Sequence, residues 1–284
     1  MRLLENKRLC EILRCPICRS SMAVKADGSG SLACMGKRTH CFDFASSGYV
    51  NLALPGQSAG GDSKQAVRAR SDFLNGEYYA PVAEALCQTL SEHVAEGGVL
   101  IDAGCGEGYY TVRLAQKGFA TFGVDLSKFA VDAAAKRSVR SGIDHAFFAV
   151  GSVFELPVAD QSADAVVNVF APCAEEEFLR VLKPGGILAV ALAGERHLMG
   201  LKRALYDVPR VNDERADLPQ GMTLLDEARV TGEICVKGSE AIANLFAMTP
   251  YYWRTSKADG EKLSSLETLS TEIDVRILIY QKTV

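Results

Sequence analysis

One stretch of eight residues decides the fold: Ile101-Asp102-Ala103-Gly104-Cys105-Gly106-Glu107-Gly108. The apolar residues 99–101 indicate a buried strand, and the glycines after them indicate a sharp turn that opens a helix. Glycine suits this turn because the missing Cβ lets the backbone bend tightly and lets a ligand approach. The stretch therefore predicts a ligand-binding turn at one edge of an α/β sheet.

Short apolar runs alternate with amphipathic helical patterns on both sides of this turn. Strands are predicted at 99–101, 121–124, 146–150, 165–170 and 187–192, and helices at 64–74, 81–94, 110–116, 128–137 and 175–182. This alternation predicts a parallel sheet with helices on both faces. Residues 272–281 alternate apolar and polar side chains, which predicts a final edge strand.

Three features indicate which ligand the turn binds. The glycine spacing is G-x-G-x-G and not the G-x-G-x-x-G expected for a pyrophosphate. Asp125 lies 21 residues after Gly104, at the end of the next strand, where a carboxylate accepts hydrogen bonds from ribose hydroxyls. Residues 182–186, Leu-Lys-Pro-Gly-Gly, form a helix-breaking turn before the fifth strand. Together these features resemble the class I methyltransferases, which use S-adenosylmethionine.

That resemblance implies a Rossmann-like methyltransferase sheet and a set of cofactor contacts. Gly104 and Gly106 would let the cofactor approach, and Asp125 would hold its ribose. In the superfamily, the acidic position of Asp102 helps to fix the loop and the methionine amino group. Ser152 stands where many members have an acid that binds the adenine amine, which leaves adenine recognition less well defined.

Five of the nine cysteines lie within residues 10–41, and this clustering is typical of a metal site. Cys15 and Cys18 form a C-x-x-C knuckle, and 15 residues separate Cys18 from Cys34. The fourth ligand is either His40 or Cys41, because both follow Cys34 closely. Three thiolates with one further thiolate or imidazole complete a closed tetrahedral zinc site. A redox role for the knuckle is disfavoured because no βαβ pattern adjoins it.

The charge is unevenly distributed along the chain. Residues 1–72 carry a net charge of +5 and the remainder −9, for a total of −4. A basic module on an acidic body predicts contact with a polyanion, although chance would also produce such an asymmetry. The sequence contains no apolar run typical of a signal peptide or a membrane span, so we expect a cytoplasmic protein without a membrane partner.

Several further segments extend the resemblance over nearly the whole chain. They are CPIC at 15–18, HCFD at 40–43, GYVNL at 48–52, GEGYYT at 106–111, APC at 171–173, RHLM at 196–199 and MTP at 248–250. This combination resembles the bacterial 23S ribosomal RNA guanine-N1 methyltransferases. The gap between the third cysteine and the histidine is longer here than is usual in that family.

The family resemblance implies a substrate and further site residues. The substrate would be one guanine in a hairpin of 23S rRNA, methylated at N1. His40 would be the fourth zinc ligand, because the family has a histidine two residues before Phe-Asp. Tyr79, Tyr110, Thr111 and His197 would contact the cofactor.

The implied organisation has three parts: a zinc-binding RNA-recognition module at 1–54, a linker and helical connection at 55–75, and the methyltransferase domain at 76–284. The linker begins with a Gly/Ser-rich stretch, residues 55–63, which predicts a mobile loop. The sequence identifies no general base and leaves a homodimer open. Candidates for stacking on the target base are the aromatic side chains Phe170, Tyr251, Tyr252 and Trp253.

Three other functions compete with this interpretation. Pro172-Cys173 lies after the fourth strand, where cytosine-C5 RNA methyltransferases carry a nucleophilic cysteine, but the second cysteine motif of such enzymes is not apparent. A small-molecule methyltransferase would leave the zinc module unexplained. An RNA-binding protein with an inactive pocket is disfavoured because the glycine turn and Asp125 are intact.

Overall fold

The computed structural model of the chain describes residues 7–26, 30–57, 61–214 and 219–283. Its strands are β1 (Met22–Val24), β2 (Ser31–Cys34), β3 (Cys41–Asp43), β4 (Val50–Asn51), β5 (Val99–Ala103), β6 (Ala120–Asp125), β7 (Ala146–Val150), β8 (Ala163–Val169), β9 (Leu182–Ala193), β10 (Met222–Lys237) and β11 (Thr268–Lys282). Its helices are α1 (Lys7–Ile12), α2 (Lys64–Asn75), α3 (Ala80–His93), α4 (Tyr109–Gln116), α5 (Lys128–Arg140), α6 (Glu175–Val181), α7 (Met199–Leu205), α8 (Ser239–Ala247) and α9 (Lys257–Glu261), with 3-10 turns at Pro250–Trp253 and Lys262–Ser265.

The described residues form a large mixed sheet of eight strands in the order β10-β11-β9-β8-β5-β6-β7-β4. The six strands from β9 to β4 are mutually parallel. Every residue of β5 and β7 is buried, because helices cover both faces of a parallel sheet. The helix-covered parallel sheet predicted from the alternating pattern is therefore present, as the resemblance to the class I methyltransferases also implies.

The strand predicted at 272–281 is present within β11, but its placement at the edge of the sheet was wrong, because β11 lies between β9 and β10 and pairs antiparallel with both. The true edge strand, β10, was missed. Its side chains are mostly exposed or half-buried, and only Met222 and Val236 are buried, so it carries no hydrophobic signal. The carboxyl half of β11 is largely buried because it packs within the sheet.

Smaller differences concern the two strands nearest the site. The predicted strand 165–170 begins earlier, at Ala163, and ends at Val169, because Phe170 adopts a left-handed backbone with φ of 51°. Strand β9 begins at Leu182, before the Pro-Gly-Gly turn, so the preceding helix ends at Val181.

The amino-terminal module packs directly on the large sheet. Leu13 and Leu32 share one hydrophobic core with residues of β5, β6 and β8. The amide of Arg14 donates to the Pro157 carbonyl at 2.8 Å, and β4 extends the large sheet beyond β7. The boundary at residue 54 stays a prediction, and residues 58–60 of the predicted linker lie outside the described residues.

The sheet brings the carboxyl ends of β5, β6 and β8 together at one edge, where a topological switch favours ligand binding. A cavity of about 830 Å³ lies instead at the opposite edge, beside Val99, Lys183 and the α1 residue Arg8. Within the part of the chain that the structure describes, no helix is both long enough and apolar enough to cross a membrane.

Candidate functional site

The glycine turn after β5 has a backbone that other residues adopt with difficulty. Gly104, Gly106 and Gly108 have φ values of 87°, 54° and 76°. A Cβ on Gly104 would lie 2.5 Å from the Cβ of Ala171, in the loop after β8. The turn therefore requires glycine for its conformation and for its close contact with the neighbouring loop.

Asp102 lies at the end of β5 with a buried side chain. Burial raises the pKa of its carboxyl to about 7, although a hydrogen bond from the hydroxyl of Thr111 acts in the opposite direction. Thr111 is itself buried in the first turn of α4. A buried carboxylate of this kind is stabilised by a positively charged ligand group.

Asp125 ends β6 and faces the same turn. Its Oδ2 accepts a hydrogen bond from the amide of Gly106 at 3.0 Å, and its Oδ1 accepts one from the amide of Ser127 at 2.8 Å. Burial raises the pKa of this carboxyl, and the two amide hydrogen bonds partly offset that effect. Each oxygen keeps a further lone pair that can accept a ligand hydroxyl.

Two charged residues that the sequence analysis missed also lie at the glycine turn, and the residues around this turn are called the pocket below. Glu107 is buried, and its Oε2 makes no hydrogen bond within the described chain. Arg70 of α2 places Nη1 3.9 Å from that oxygen and also forms an ion pair with Asp62. Glu107 lies inside the glycine motif and could have been found from its position. Arg70 carries no sequence signal, because its contact depends on the path of α2.

A second group of predicted residues lies beside the turn. The hydroxyl of Tyr79 and Nε2 of His197 are 3.0 Å apart, and both side chains are buried. The amide of Asp274 donates to Nδ1 of His197 at 3.2 Å. Burial lowers the pKa of His197 to about 4, so its ring is neutral near pH 7. The hydroxyl of Tyr110 is buried and has no hydrogen-bond partner among the residues that the structure describes.

The chemistry of this pocket fits S-adenosylmethionine. The cofactor carries a cationic sulfonium and an ammonium. Two buried carboxylates, Asp102 and Glu107, and the half-buried carboxylate of Asp125 lie around the turn, with Arg70 beside them. Oε2 of Glu107 and the hydroxyl of Tyr110 make no hydrogen bond within the described residues, so both offer polar contacts that a ligand would satisfy, since buried polar groups are otherwise hydrogen-bonded. The individual contacts remain predictions.

The two remaining residues that the sequence analysis considered are Ser152, for adenine recognition, and Cys173, for nucleophilic attack. Ser152 is buried, and its Oγ accepts a hydrogen bond from the amide of Phe154 at 3.2 Å. Desolvation, assisted by Glu175, raises the pKa of the Cys173 thiol. A nucleophilic cysteine needs the thiolate form, so this environment disfavours the cytosine-C5 mechanism.

The structure brings Cys15, Cys18, Cys34 and His40 together, with all four potential ligand atoms within 4.8 Å of one another. The Sγ atoms of Cys18 and Cys34 are 3.6 Å apart, and Nδ1 of His40 lies 3.4 Å from Sγ of Cys34. Cys41, the alternative fourth ligand, instead carries an exposed side chain on β3.

These distances suit zinc. Tetrahedral coordination with ordinary Zn–S and Zn–N bond lengths separates neighbouring ligand atoms by roughly 3.5–3.8 Å. Three cysteines and one histidine also leave no open coordination position, as in structural zinc sites. Hydrogen bonds from Ser20 lower the pKa of the Cys18 thiol to about 6, whereas burial raises the pKa of the Cys15 thiol to about 11, so this environment favours the thiolate that a metal requires at Cys18 but not at Cys15.

Comparisons with known proteins agree with both sites. Residues 95–245 match a family model described as a methyltransferase domain, and residues 13–60 match the RlmA amino-terminal zinc ribbon. A Bacillus subtilis protein described as a 23S rRNA (guanine-N1-)-methyltransferase is 31% identical and aligns with 95% of this chain and 97% of its own. The 23S rRNA (guanine(748)-N1)-methyltransferase of Streptomyces fradiae is 34% identical over 74% of this chain and 73% of its own.

A third relative, from Micromonospora griseorubida, is also described as a 23S rRNA (guanine-N1-)-methyltransferase. It is 33% identical over 66% of this chain and 68% of its own. The Bacillus match extends over both the zinc module and the methyltransferase domain. The chain is a zinc-ribbon-bearing, S-adenosylmethionine-dependent methyltransferase and belongs to the 23S rRNA guanine-N1 methyltransferase family.

Proposed function

We propose that this protein transfers the methyl group of S-adenosylmethionine to N1 of a guanine in a hairpin of 23S rRNA. The observation that carries the proposal is the match to the Bacillus subtilis relative, which covers 95% of the chain. A match of that extent includes the zinc module as well as the methyltransferase domain, so it supports the substrate class and not only the cofactor.

The pocket residues would hold the cofactor in one orientation. S-adenosylmethionine supplies an activated methyl group on its sulfonium, so catalysis depends mainly on alignment. We assign the ribose hydroxyls to Asp125 and the ammonium to Asp102, which Thr111 orients. Gly104 and Gly106 allow the close approach, and the free hydroxyl of Tyr110 offers a further polar contact.

Guanine N1 carries a proton at neutral pH, and this proton has to leave as the N1–C bond forms. The electron pair of the broken C–S bond stays on sulfur, and the proton passes to water or to a base. His197 is poorly suited to be that base, since Nδ1 accepts from the Asp274 amide and Nε2 faces Tyr79. We infer that Tyr79 and His197 instead shape the wall of the pocket.

The zinc module would hold the RNA hairpin in register. Residues 1–72 carry a net charge of +5, which favours contact with phosphates, and phosphate contacts position a nucleic acid without reading its sequence. Because such contacts release counterions, we expect RNA affinity to fall steeply as salt rises. A ribosomal RNA substrate would place the protein in the cytoplasm. Sedimentation at micromolar concentration would decide between a monomer and a homodimer.

The decisive experiment uses the full-length, zinc-loaded protein and 23S rRNA transcribed in vitro. N1 methylation blocks base pairing, so reverse transcription should stop at one guanine, and nucleoside mass spectrometry should detect 1-methylguanosine. Cys173→Ser should retain most of this activity. Production of 5-methylcytidine, its loss in Cys173→Ser, and a covalent adduct with 5-fluorocytidine RNA would contradict the proposal.

A further inference from the structure

The residue that follows β8 has an unusual backbone. Phe170 adopts φ of 51°, a left-handed conformation that is an outlier for a bulky side chain. Its amide donates to the carbonyl of Ala191 in β9 at 3.1 Å. Such a conformation costs free energy and persists only where the surroundings enforce it, which occurs mainly at functional sites.

The loop around Phe170 is firmly held against the cofactor turn. Asn168 is buried, and its Nδ2 donates to the carbonyls of Ala103 and Pro172, each at 3.1 Å. The Cβ of Ala171 occupies the space that a side chain on Gly104 would need. Phe170 is therefore one residue from direct contact with the glycine turn, and its position is tied to the ends of β5 and β9.

The ring of Phe170 has one covered face. It stacks on the imidazole of His197, with centroids 5.7 Å apart and planes inclined by 20°. The ring of Tyr79 approaches at 6.3 Å with a tilt of 53°. Phe170 nevertheless remains 45% exposed, so much of the opposite face and edge is open.

His197 is a rigid backing for that ring. Its two nitrogens face the Asp274 amide and the Tyr79 hydroxyl, so the imidazole cannot rotate without breaking both contacts. Burial lowers the pKa of His197 to about 4, and the ring therefore stays uncharged while Phe170 stacks on it. The structure thus presents a fixed, neutral aromatic surface beside the cofactor turn.

We propose that the open face of Phe170 is the stacking site for the target guanine, which it holds beside the cofactor turn while His197 supports its other face. This inference rests on the proposed function and specifies which surface receives the base. N1 of guanine is inaccessible inside a duplex, so the enzyme must bind the guanine unpaired. An unpaired base in turn needs a surface on which to stack. Phe170 is a substrate-positioning residue in this scheme, and it takes no part in proton transfer.

Of the other candidate aromatic residues, Tyr251 is half-buried and its hydroxyl donates to Oδ1 of Asn212 at 3.0 Å, and the remaining two, Tyr252 and Trp253, lie elsewhere. Tyr252 packs edge-on against Phe246 of α8, at a centroid distance of 5.3 Å, and Trp253 packs edge-on against Tyr252. Trp253 is 76% exposed. It provides a matched control, because it is an exposed aromatic side chain outside the loop that contacts the glycine turn.

The test compares substitutions at Phe170 in the full-length, zinc-loaded protein. The measurements are kcat/KM for methylation of in vitro transcribed 23S rRNA and the Kd for S-adenosylmethionine. Loss of base stacking should lower kcat/KM roughly tenfold to a hundredfold in Phe170→Ala and in Phe170→Leu. Phe170→Tyr should recover most of the activity, since it keeps the aromatic face. Cofactor affinity should stay at the wild-type value in all three variants.

Phe170→Gly separates stacking from backbone strain. Glycine adopts positive φ without a steric penalty, so this variant should fold at least as stably as Phe170→Ala. Its kcat/KM should nevertheless be as low as that of Phe170→Ala, whereas the kcat/KM of Trp253→Ala should stay close to the wild-type value. Wild-type activity in Phe170→Leu, or a parallel loss of cofactor affinity in Phe170→Ala, would overturn the stacking site.

The nucleotide that the wild-type enzyme methylates gives a separate test of the proposed function. If the wild type methylates a nucleotide other than guanine, the proposed function fails. The ranking of the alanine, leucine and tyrosine variants on that nucleotide still decides whether Phe170 stacks a base. If the wild type methylates no RNA, both proposals fall together.

Discussion

The zinc centre and the cofactor pocket are assembled from the chain in opposite ways. The four zinc ligands lie between Cys15 and His40, so a short segment supplies the whole site. The pocket combines side chains from Arg70 to His197 with a backbone amide of Asp274, and these residues meet only because the large sheet aligns its strand ends. One short segment therefore contains the whole metal site, although its spacing left the fourth ligand open, whereas the glycine motif locates only the centre of the pocket.

The two sites also depend on different forces. A small, loop-rich module gains much of its order from the metal, because binding free energy is folding free energy in such modules. The pocket residues rest on a large buried hydrophobic core, which is stabilised by the burial of apolar surface. Substitutions should therefore impair one site and leave the other functional, even though the module and the domain share buried contacts.

The largest expected effect is the loss of cofactor binding in the variant Gly104→Val. The valine would need φ of 87° and would place its Cβ 2.5 Å from Ala171. We expect binding of S-adenosylmethionine to fall below detection by calorimetry while zinc remains at about one atom per chain. Gly142→Val is the matched control, since Gly142 also has positive φ but no atom of the described residues lies within 4 Å of its Cβ position. Wild-type affinity in Gly104→Val would contradict the assignment of the turn.

Cys18→Ser should have the reciprocal effect. Cys18 is an exposed member of the cluster, so its loss should remove about one zinc per chain with little damage to the shared core. RNA binding should weaken, whereas S-adenosylmethionine binding should persist. Metal content by mass spectrometry and RNA affinity by filter binding check this. Cys41→Ser should keep its zinc, and loss of zinc there would show that Cys41, rather than His40, is the fourth ligand.

Asp125→Ala should weaken cofactor binding by an intermediate amount. A hydrogen bond to a charged group contributes about 1.5–3 kcal/mol, so affinity should fall roughly tenfold to a hundredfold. Asp132→Ala is the control, because Asp132 is bonded to Ser47 and Lys136 on α5 and not to the glycine turn. Equal dissociation constants for Asp125→Ala and wild type, measured by calorimetry, would place the ribose elsewhere.

The smallest expected effect is a pH dependence of the free energy of unfolding that is caused by His197. The pKa of His197 is lowered by burial from 6.5 to about 4, so the unfolded chain binds the extra proton between these values. The contribution of the neutral His197 ring to the free energy of unfolding should be complete above pH 6.5. The free energy of unfolding should then fall by about 2 kcal/mol on acidification to about pH 5. Urea unfolding of wild type and His197→Gln checks this. The same pH dependence in both proteins would exclude His197 as its cause.

The same contrast explains what could be predicted from sequence. Cys15, Cys18 and Cys34 were recognised from spacing alone, and the choice of His40 came from the family resemblance. Asp125 follows from its distance to Gly104 and its place at the end of a strand, whereas the role of Asp102 came from the superfamily resemblance. Arg70 could not be predicted, because nothing near it in sequence indicates that α2 crosses the turn.

Other unpredicted features depend on tertiary context. The polar pattern of β10 concealed an edge strand, because a strand with few buried side chains has no hydrophobic period. For Phe170, the sequence indicated an aromatic residue at the end of a strand. Its left-handed backbone and its stacking on His197 arise from contacts with β9 and with a residue 27 positions away.

The pairing of β4 with β7 has a consequence for the order of events during synthesis. Val50 pairs with Ala149, so the strand leaves the ribosome 99 residues before its partner. At ordinary elongation rates of about 5–20 residues per second, that interval lasts roughly 5–20 seconds. All four zinc ligands have been made by then, and the module can capture its metal in the nascent chain. A metal bound at that stage would give the module local order early, and β4 docks only after β5, β6 and β7 have been made.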